Sequence, residues 1–220
     1  MTRIYTLKSL ALAFFITLGI CAQVGKAKAA DLETITVAGG CFWCVESDFE
    51  RVNGVKEAVS GFIGGTVANP TYKQVVKGDT GHYEAVQITF DPDVVSIDRL
   101  YDMFFRSVDP TDSGGQFCDR GDTYRTAIFP SDLAQADAAK QAKAKAQAEL
   151  GAPIVTPILN ASDFYPAEAY HQDYYKGTQL VLTRFGPKRQ SSAYKAYRNA
   201  CGRDARVKEL WGDAAPFVGG

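Results

Sequence analysis

Histidine is scarce in this 220-residue sequence, and basic residues form no cluster. The two histidines, His82 and His171, lie far apart in the chain, so a metal site built on paired histidines has little support. The 24 Lys and Arg residues against 25 Asp and Glu give a net charge of -1, without the basic patch that nucleic-acid binding requires. We therefore expect no nucleic-acid partner.

The composition is that of an ordinary globular protein. Hydrophobic residues make up 46% and charged residues 22% of the chain, which excludes a disordered, collagenous or coiled-coil protein. A chain of this length buries a full core without covalent cross-links. The five cysteines therefore need a reason other than stability.

The first thirty residues have the layout of a secretory signal peptide. Arg3 and Lys8 precede an uncharged run over residues 9–25, and Ala27 and Ala29 supply the small residues that a signal peptidase reads. The run is shorter than the about 20 apolar residues that span a bilayer, which disfavours a membrane anchor. We expect cleavage after residue 29 or 30 and export, to the periplasm if the host has two membranes, with no stable membrane association.

Lipidation is the remaining alternative at this end of the chain. Cys21 is the candidate, but Ile20 stands where a lipobox needs a small residue. Removal of residues 1–30 takes away four basic and no acidic residues, so 20 basic residues face 25 acidic ones and the net charge becomes -5. The mature chain, residues 31–220, keeps four cysteines and is predicted to form a single domain.

Hydrophobic periodicity and turn-forming residues predict an α+β fold. The order β-α-β-β-α-β is that of a ferredoxin-like two-layer sandwich, in which helices cover one face of a mainly antiparallel sheet. An alanine-rich surface helix and a further strand follow, and the last sixty residues are expected to wrap the core irregularly. The predicted strands span residues 34–38, 55–61, 84–90, 124–129 and 154–159, and the predicted helices span residues 41–52, 97–108 and 131–150.

Two cysteines stand where a strand turns into a helix. Cys41 follows two glycines at the predicted helix start, where unpaired N–H groups and the helix dipole favour a thiolate and a lowered pKa. Cys44 lies one helical turn further on, which is the spacing of a redox pair. Two alternatives are a pair of small buried residues and half of a zinc site, although the chain has no second Cys-x-x-Cys.

Two loops carry further candidate residues. One spans residues 61–83 and precedes Glu84, and loops of more than about 15 residues within a compact domain are usually functional. The other spans residues 109–122. A carboxyl group that faces an aromatic pocket has a raised pKa and serves as a general acid near neutral pH. Spacing alone does not place Glu84 beside Cys41.

Four segments in chain order carry a resemblance to a known family. They are Gly-Cys-Phe-Trp at residues 40–43, Asn-Pro-Thr-Tyr at 69–72, Gly-Asp-Thr-Gly-His-Tyr-Glu at 78–84 and Asp-Arg-Gly-Asp-Thr-Tyr-Arg-Thr-Ala-Ile-Phe at 119–129. The chain resembles the MsrA family of peptide methionine sulfoxide reductases, from about residue 36 to residue 176.

The resemblance implies a role for each matched residue. Cys41 would attack the sulfoxide sulfur, and Glu84 would act as the acid. The other matched residues are Phe42 and Trp43 as an apolar wall for the substrate methyl group, Tyr72 and Tyr124 as hydrogen-bond donors to the sulfoxide oxygen, and Asp119 as the active-site aspartate.

The resemblance also implies the substrate and the reductant. The S epimer of methionine sulfoxide, free or in oxidised proteins, would become methionine, and Cys41 would become a sulfenic acid that a second thiol converts to a disulfide. A thioredoxin-like dithiol would reduce that disulfide. No metal or organic cofactor is expected.

Cys44 departs from the commonest family pattern, in which distal C-terminal cysteines resolve the sulfenic acid. We expect Cys44 to be the resolving thiol because it lies within one turn of Cys41, and Cys201 is the alternative. Cys118 lies either near the site, beside Asp119, or in the core as a small packing residue.

Two other functional classes fit parts of the sequence. A thioredoxin-type thiol-disulfide oxidoreductase would use Cys41 and Cys44, but it would leave the tyrosines and Glu84 without a role. A zinc-stabilised binding module would need all four cysteines of the mature chain to converge on one ion.

Overall fold

The computed structural model describes residues 31–219, and the predicted signal peptide lies outside them. The strands are β1 Glu33–Gly39, β2 Val55–Ile63, β3 Tyr83–Phe90, β4 Gly115–Gln116, β5 Asp119–Arg120, β6 Thr126–Ile128, β7 Tyr165–Pro166, β8 Leu180–Thr183 and β9 Gly186–Arg189. The helices are α1 Phe42–Phe49, α2 Tyr72–Val75, α3 Ile97–Phe105, α4 Leu133–Leu150, α5 Gln190–Cys201 and α6 Arg203–Trp211. No helix within this range is long and apolar enough to cross a membrane.

The central sheet has the strand order β6-β1-β3-β2-β7, and its strand pairs are antiparallel. Its first four strands in this order are those of a ferredoxin-like sandwich, which confirms the predicted α+β class. Helices α1 and α3 cover one face, where the core includes Phe49, Phe90 and Phe104, each at most 1% exposed.

Short polar caps set where the helices begin. Ser96 accepts a hydrogen bond from the backbone N–H of Arg99 at 3.3 Å at the start of α3. Asp132 does the same for Gln135 at 2.8 Å at the start of α4, which ends at Gly151 with a φ of 62°. The alanine face of α4 is buried against the core, as in an amphipathic surface helix.

Several predicted boundaries differ from the structure. The predicted strand over 154–159 is only an isolated parallel bridge between Ile128 and Ile158, because Pro157 has no N–H to donate to a ladder. The predicted strand over 124–129 shrinks to β6, since Asp122–Tyr124 forms a 3₁₀ turn. The C-terminal region is more regular than expected, with the β8-β9 hairpin followed by α5 and α6.

Candidate active site

A tight turn places Cys41 between the end of β1 and the start of α1. Gly40 has a φ of +80°, and a Cβ there would lie 2.5 Å from the Cβ of Gln116, so only glycine fits. Gln116 is itself fixed, because its amide exchanges two hydrogen bonds of 2.8 Å with the backbone of Asp109. The turn therefore presents Cys41 as the N-cap residue of α1.

The residues predicted from the sequence converge on one pocket of about 520 Å³. The turn after β1 and helix α1 supply the cysteine pair, β3 supplies the acid, and the segments that connect β2 to β3 and α3 to β6 supply the tyrosines and Asp119. The predicted residues that line it are Cys41, Phe42, Trp43, Cys44, Tyr72, Glu84, Asp119, Tyr124 and Cys201, together with Cys118. The pocket brings together every one of those residues, although they are spread over 161 positions, from residue 41 to residue 201.

Glu84 is a buried acid on the floor of this pocket. Glu84 is 2% exposed, and its Oε2 accepts a hydrogen bond from the backbone N–H of Phe42 at 3.0 Å. Burial raises the pKa of Glu84 to about 8, with a further contribution from the negative charge of Asp119. The carboxyl group therefore keeps its proton at neutral pH, beside the turn that carries Cys41.

Two tyrosine hydroxyls stand in the same pocket. Tyr72 and Tyr124 both line it, and burial raises the pKa of each phenol, so both hydroxyls keep their protons and remain donors. Their elements are tied together, because the Thr123 hydroxyl donates to the backbone carbonyl of Val75 at 3.0 Å. The backbone N–H of Tyr72 donates to the Glu168 carboxylate at 3.1 Å, which fixes the start of α2.

The two thiols differ in pKa, and the lowered pKa that the sequence predicts for Cys41 is found at Cys44. A hydrogen bond with Cys44 and then burial raise the pKa of Cys41. The same hydrogen bond, aided by the charges of Arg203 and Arg198, lowers the pKa of Cys44 to about 7. The prediction of a lowered pKa at Cys41 is therefore wrong. The first thiolate of the pair forms at Cys44, where the Cys41 S–H stabilises it.

A buried charge cluster underlies Cys44, and nothing in the sequence pointed to it. The Arg198 guanidinium donates to Asp48 Oδ1 at 2.8 Å, and the side chains are 3% and 1% exposed. Arg203 donates to the backbone carbonyl of Gly39 at 3.2 Å, directly before the turn that carries Cys41. Since α5 and α6 supply these cations from 150 or more residues away, no local spacing reveals them.

Aromatic rings form the apolar wall around Phe42 and Trp43. The Trp43 ring stacks on Tyr174 with centroids 3.8 Å apart, and Phe42 lies 5.2 Å from the His171 ring. Burial lowers the pKa of His171 to about 4, so its imidazole is neutral and packs as an aromatic ring, 4.2 Å from Tyr72. Sequence reasoning missed both His171 and Tyr174, whose only local signal is a tyrosine-rich segment.

Cys118 and Cys201 are joined by a disulfide at the pocket edge, with Cα atoms 4.8 Å apart. The bond links the loop that carries Asp119 to the end of α5. Cys118 is therefore neither isolated nor in the core, while Cys41 and Cys44 are free thiols.

Two groups of potential metal ligands occur within residues 31–219. One combines Cys118, Asp119 and Cys201, whose sulfurs are bonded to each other, and the other combines Glu46, Glu50 and Asp173. Neither contains Cys41 or Cys44. The four cysteines therefore do not converge on one ion, which the zinc-module interpretation required.

Comparisons with known proteins place this chain in a family. The family model of peptide methionine sulfoxide reductase matches residues 33–213. The chain is 52% identical over 195 residues to peptide methionine sulfoxide reductase MsrA 2 of Rhizobium meliloti strain 1021, covering 89% of this chain and 91% of that protein.

The chain is also similar to solved structures. The chain is similar to the crystal structure of Mxr1 from Saccharomyces cerevisiae in reduced form, at 33% identity and a TM-score of 0.63, covering 69% of this chain and 90% of that one. It is also similar to methionine sulfoxide reductase A of Corynebacterium diphtheriae, at 31% identity and a TM-score of 0.59, covering 68% of this chain and 76% of that one. The chain thus belongs to the peptide methionine sulfoxide reductase family.

Proposed function

We propose that the protein reduces methionine S-sulfoxide to methionine, with Cys41 as the nucleophile and Glu84 as the proton donor. The observation that carries this assignment is the protonated, buried carboxyl group of Glu84 in the same pocket as the free thiol of Cys41. A sulfoxide oxygen leaves poorly until it is protonated, so the reaction needs a nucleophile and an acid together.

The first step transfers oxygen from the substrate to the enzyme. The Cys41 proton passes to the Cys44 thiolate, and the Cys41 thiolate formed in this way attacks the sulfoxide sulfur. Glu84 gives its proton to the oxygen, which Tyr72 and Tyr124 hold by hydrogen bonds. The Cys41 sulfur bonds to the substrate sulfur. That bond and the substrate S–O bond then break as the protonated oxygen bonds to the Cys41 sulfur, and two electrons pass from the Cys41 sulfur to the substrate sulfur. The products are methionine and a sulfenic acid on Cys41.

The second step uses Cys44, and its lowered pKa supports this choice over Cys201. A Cys44 thiolate attacks the Cys41 sulfenic sulfur, the new S–S bond forms, and hydroxide leaves and takes up a proton to become water. Cys201 is already bonded to Cys118. A thioredoxin-like dithiol then supplies two electrons and two protons, which returns both thiols.

The competing thiol-disulfide exchange activity is tested in the same preparation. Dabsyl-methionine sulfoxide is offered as separate S and R epimers, and insulin disulfides are offered to a parallel sample. We expect turnover of the S epimer alone. Rapid insulin reduction without sulfoxide turnover would show that the pocket serves disulfide exchange and would overturn the proposal.

We further propose that the protein is exported through the signal peptide of residues 1–30 and works in an oxidising compartment. The supporting features are the charge pattern and the Ala27–Ala29 site. Disulfides persist there, so turnover in cells would depend on reducing equivalents that cross the inner membrane. Fractionation followed by N-terminal sequencing tests export, and soluble cytosolic protein with Met1 intact would contradict it.

Both free and protein-bound methionine sulfoxide are proposed as substrates. The pocket is open to solvent, and Cys41 is partly exposed at its floor. An oxidised methionine side chain of a polypeptide could enter the pocket while the polypeptide backbone stays at the rim of the pocket.

A further inference from the structure

The β8-β9 hairpin exposes large aliphatic side chains next to the active-site pocket. Leu180 is 75% exposed and Leu182 is 87% exposed, and both lie on one face of β8. Val181, on the opposite face, packs against the cluster that contains Cys44 and Tyr194. One face of β8 is therefore anchored to the protein, and the other offers an uncovered apolar surface.

The outer edge of β8 is open for hydrogen bonding. The backbone N–H of Gln190 donates to the carbonyl of Gln179 at 2.9 Å, and hydrogen-bonded pairs alternate along an antiparallel ladder. Leu180 and Leu182 therefore turn their N–H and C=O groups away from β9. The outward positions on β9 are Arg189, opposite Leu180, and Pro187, opposite Leu182. Pro187 has no N–H to donate, which blunts that edge.

The open edge lies on the side of the catalytic pocket. Leu182, Thr183 and Arg184 line the pocket that contains Cys41, whereas no residue of β9 lines it. A polypeptide whose methionine sulfoxide reaches Cys41 must leave the pocket past its rim. Its neighbouring residues then meet an unpaired strand edge and exposed leucines.

The charge of the hairpin restricts the sequences that fit. Residues 177–190 contain the basic residues Arg184, Lys188 and Arg189 and no acidic residue. A polypeptide rich in lysine or arginine would be repelled, so the suitable partner is apolar or acidic around its oxidised methionine.

We propose that β8 binds the residues flanking methionine sulfoxide in an extended segment of an oxidised polypeptide, which adds to the hairpin as a third strand. The Leu180 and Leu182 side chains contact apolar side chains of that segment, and their backbone groups pair with its backbone. This inference rests on the proposed function, since it names the polypeptide substrate of the same pocket.

The side-chain part is tested with Leu180→Ser, because Leu180 does not line the pocket. The substrates are N-acetylmethionine S-sulfoxide and a capped pentapeptide with two valines on each side of the oxidised methionine, both with dithiothreitol as reductant. We expect kcat/KM for the pentapeptide to fall about tenfold, as the loss of a leucine contact implies, and kcat/KM for the small substrate to stay within about twofold. Leu180→Ile should restore most of the pentapeptide activity.

Leu133→Ser is the matched control. Leu133 is 83% exposed at the start of α4, outside the pocket. Its replacement should leave kcat/KM for both substrates unchanged. Equal losses in the two serine variants would show a general effect of surface leucines and would overturn the proposal.

The backbone part is tested from the substrate side with wild-type protein. Pentapeptides that carry an N-methyl group on the first or on the second valine after the oxidised methionine lack one donor each. Since N–H groups alternate in direction along a strand, one of the two peptides should lose about tenfold in kcat/KM and the other little. Unchanged values for both would contradict strand addition.

The remaining outcomes separate this inference from the proposed function. A parallel loss of both substrates in Leu180→Ser would mean that the hairpin supports the pocket and does not bind polypeptide. A loss that appears only when a protein dithiol replaces dithiothreitol would assign the surface to the reductant. Failure of the wild-type protein to reduce the small substrate would instead refute the proposed function.

Discussion

At the scale of single residues, Glu84 determines how the reaction depends on pH. Glu84→Gln keeps an acceptor for the Phe42 N–H but removes the proton donor. We expect methionine formation in a single turnover to slow by about 10² to 10⁴. Because the pKa of Glu84 is raised to about 8, the wild-type rate should fall as pH rises through about 8. This alkaline decline should be absent in Glu84→Gln; an unchanged rate at neutral pH would exclude Glu84 as the acid.

The two thiols of the pair should be separable by counting turnovers. Cys41→Ser should abolish methionine formation. Cys44→Ser should still release about one methionine per enzyme, because attack on the sulfoxide needs only Cys41, but its turnover with a dithiol reductant should fall. Rapid-quench assays with mass spectrometry measure both quantities. Sustained turnover by Cys44→Ser that is lost on further Cys201→Ser would make Cys201 the resolving thiol.

The asymmetry of the pair predicts the pH dependence of resolution. Once Cys41 is a sulfenic acid it has no S–H to donate, but the charges of Arg203 and Arg198 still lower the pKa of Cys44, so its thiolate fraction grows as pH rises above neutral. The conversion of the Cys41 sulfenic acid to disulfide should therefore accelerate over the same range. Trapping of the sulfenic acid with dimedone at several pH values follows this step. A flat profile would show that Cys44 does not resolve the sulfenic acid as a thiolate.

At the scale of structural elements, the Cys118–Cys201 disulfide connects the Asp119 loop to α5 across 83 positions. A cross-link over a loop of this length stabilises a protein by about 2–5 kcal/mol. The double variant Cys118→Ser with Cys201→Ser should therefore have a lower Tm than the oxidised wild type. Dithiothreitol should lower the Tm of the wild type and leave that of the double variant unchanged. Identical Tm values without reductant would show that the cross-link contributes nothing to stability.

The fold of the individual elements was readable wherever local chemistry determines it. Ser96 is the cap residue of α3, whose buried face follows the predicted helical spacing, whereas the cap of α4 is Asp132, one residue beyond the predicted helix start at residue 131. The β8-β9 hairpin was missed because Leu180 and Leu182 are exposed, so the strand has no buried alternation of the usual kind. The segment over residues 154–159 shows the opposite error. Its apolar residues predicted a strand, but Pro157 has no backbone N–H to donate to a neighbouring strand.

At the scale of the whole molecule, a buried ion pair ties the C-terminal region to helix α1. Arg198→Leu removes the closer of two cations beside Asp48 and leaves Arg203, whose Nε lies 3.9 Å from Asp48 Oδ2; loss of one member of a buried pair costs about 3–5 kcal/mol. Lys140→Ala is the control, because its pair with Asp137 lies on the surface, with side chains 64% and 66% exposed. We expect a large loss of urea stability in the first variant and little in the second. Similar midpoints would show that the buried pair does not hold the region.

The candidate site was predictable as a set of residue types but not as an arrangement. Glu84 and Cys41 are 43 positions apart, and only the strand order β1-β3 brings their elements side by side. Arg198 and Arg203 come from the last quarter of the chain, so the lowered pKa of Cys44 depends on tertiary contacts that no local pattern encodes. The resemblance supplied the matched residues, and the fold supplied the electrostatics that distinguish the two thiols.

The most direct test of the account is a single turnover of the fully reduced protein with each epimer of N-acetylmethionine sulfoxide, in which methionine formed and free thiols lost are counted together. The S epimer should give about one N-acetylmethionine per protein and the loss of the Cys41 and Cys44 thiols, with a new disulfide between them in peptide mapping. The R epimer should give neither. Loss of thiols without product, or equal product from both epimers, would contradict the assignment of Cys41, Cys44 and Glu84 to methionine S-sulfoxide reduction.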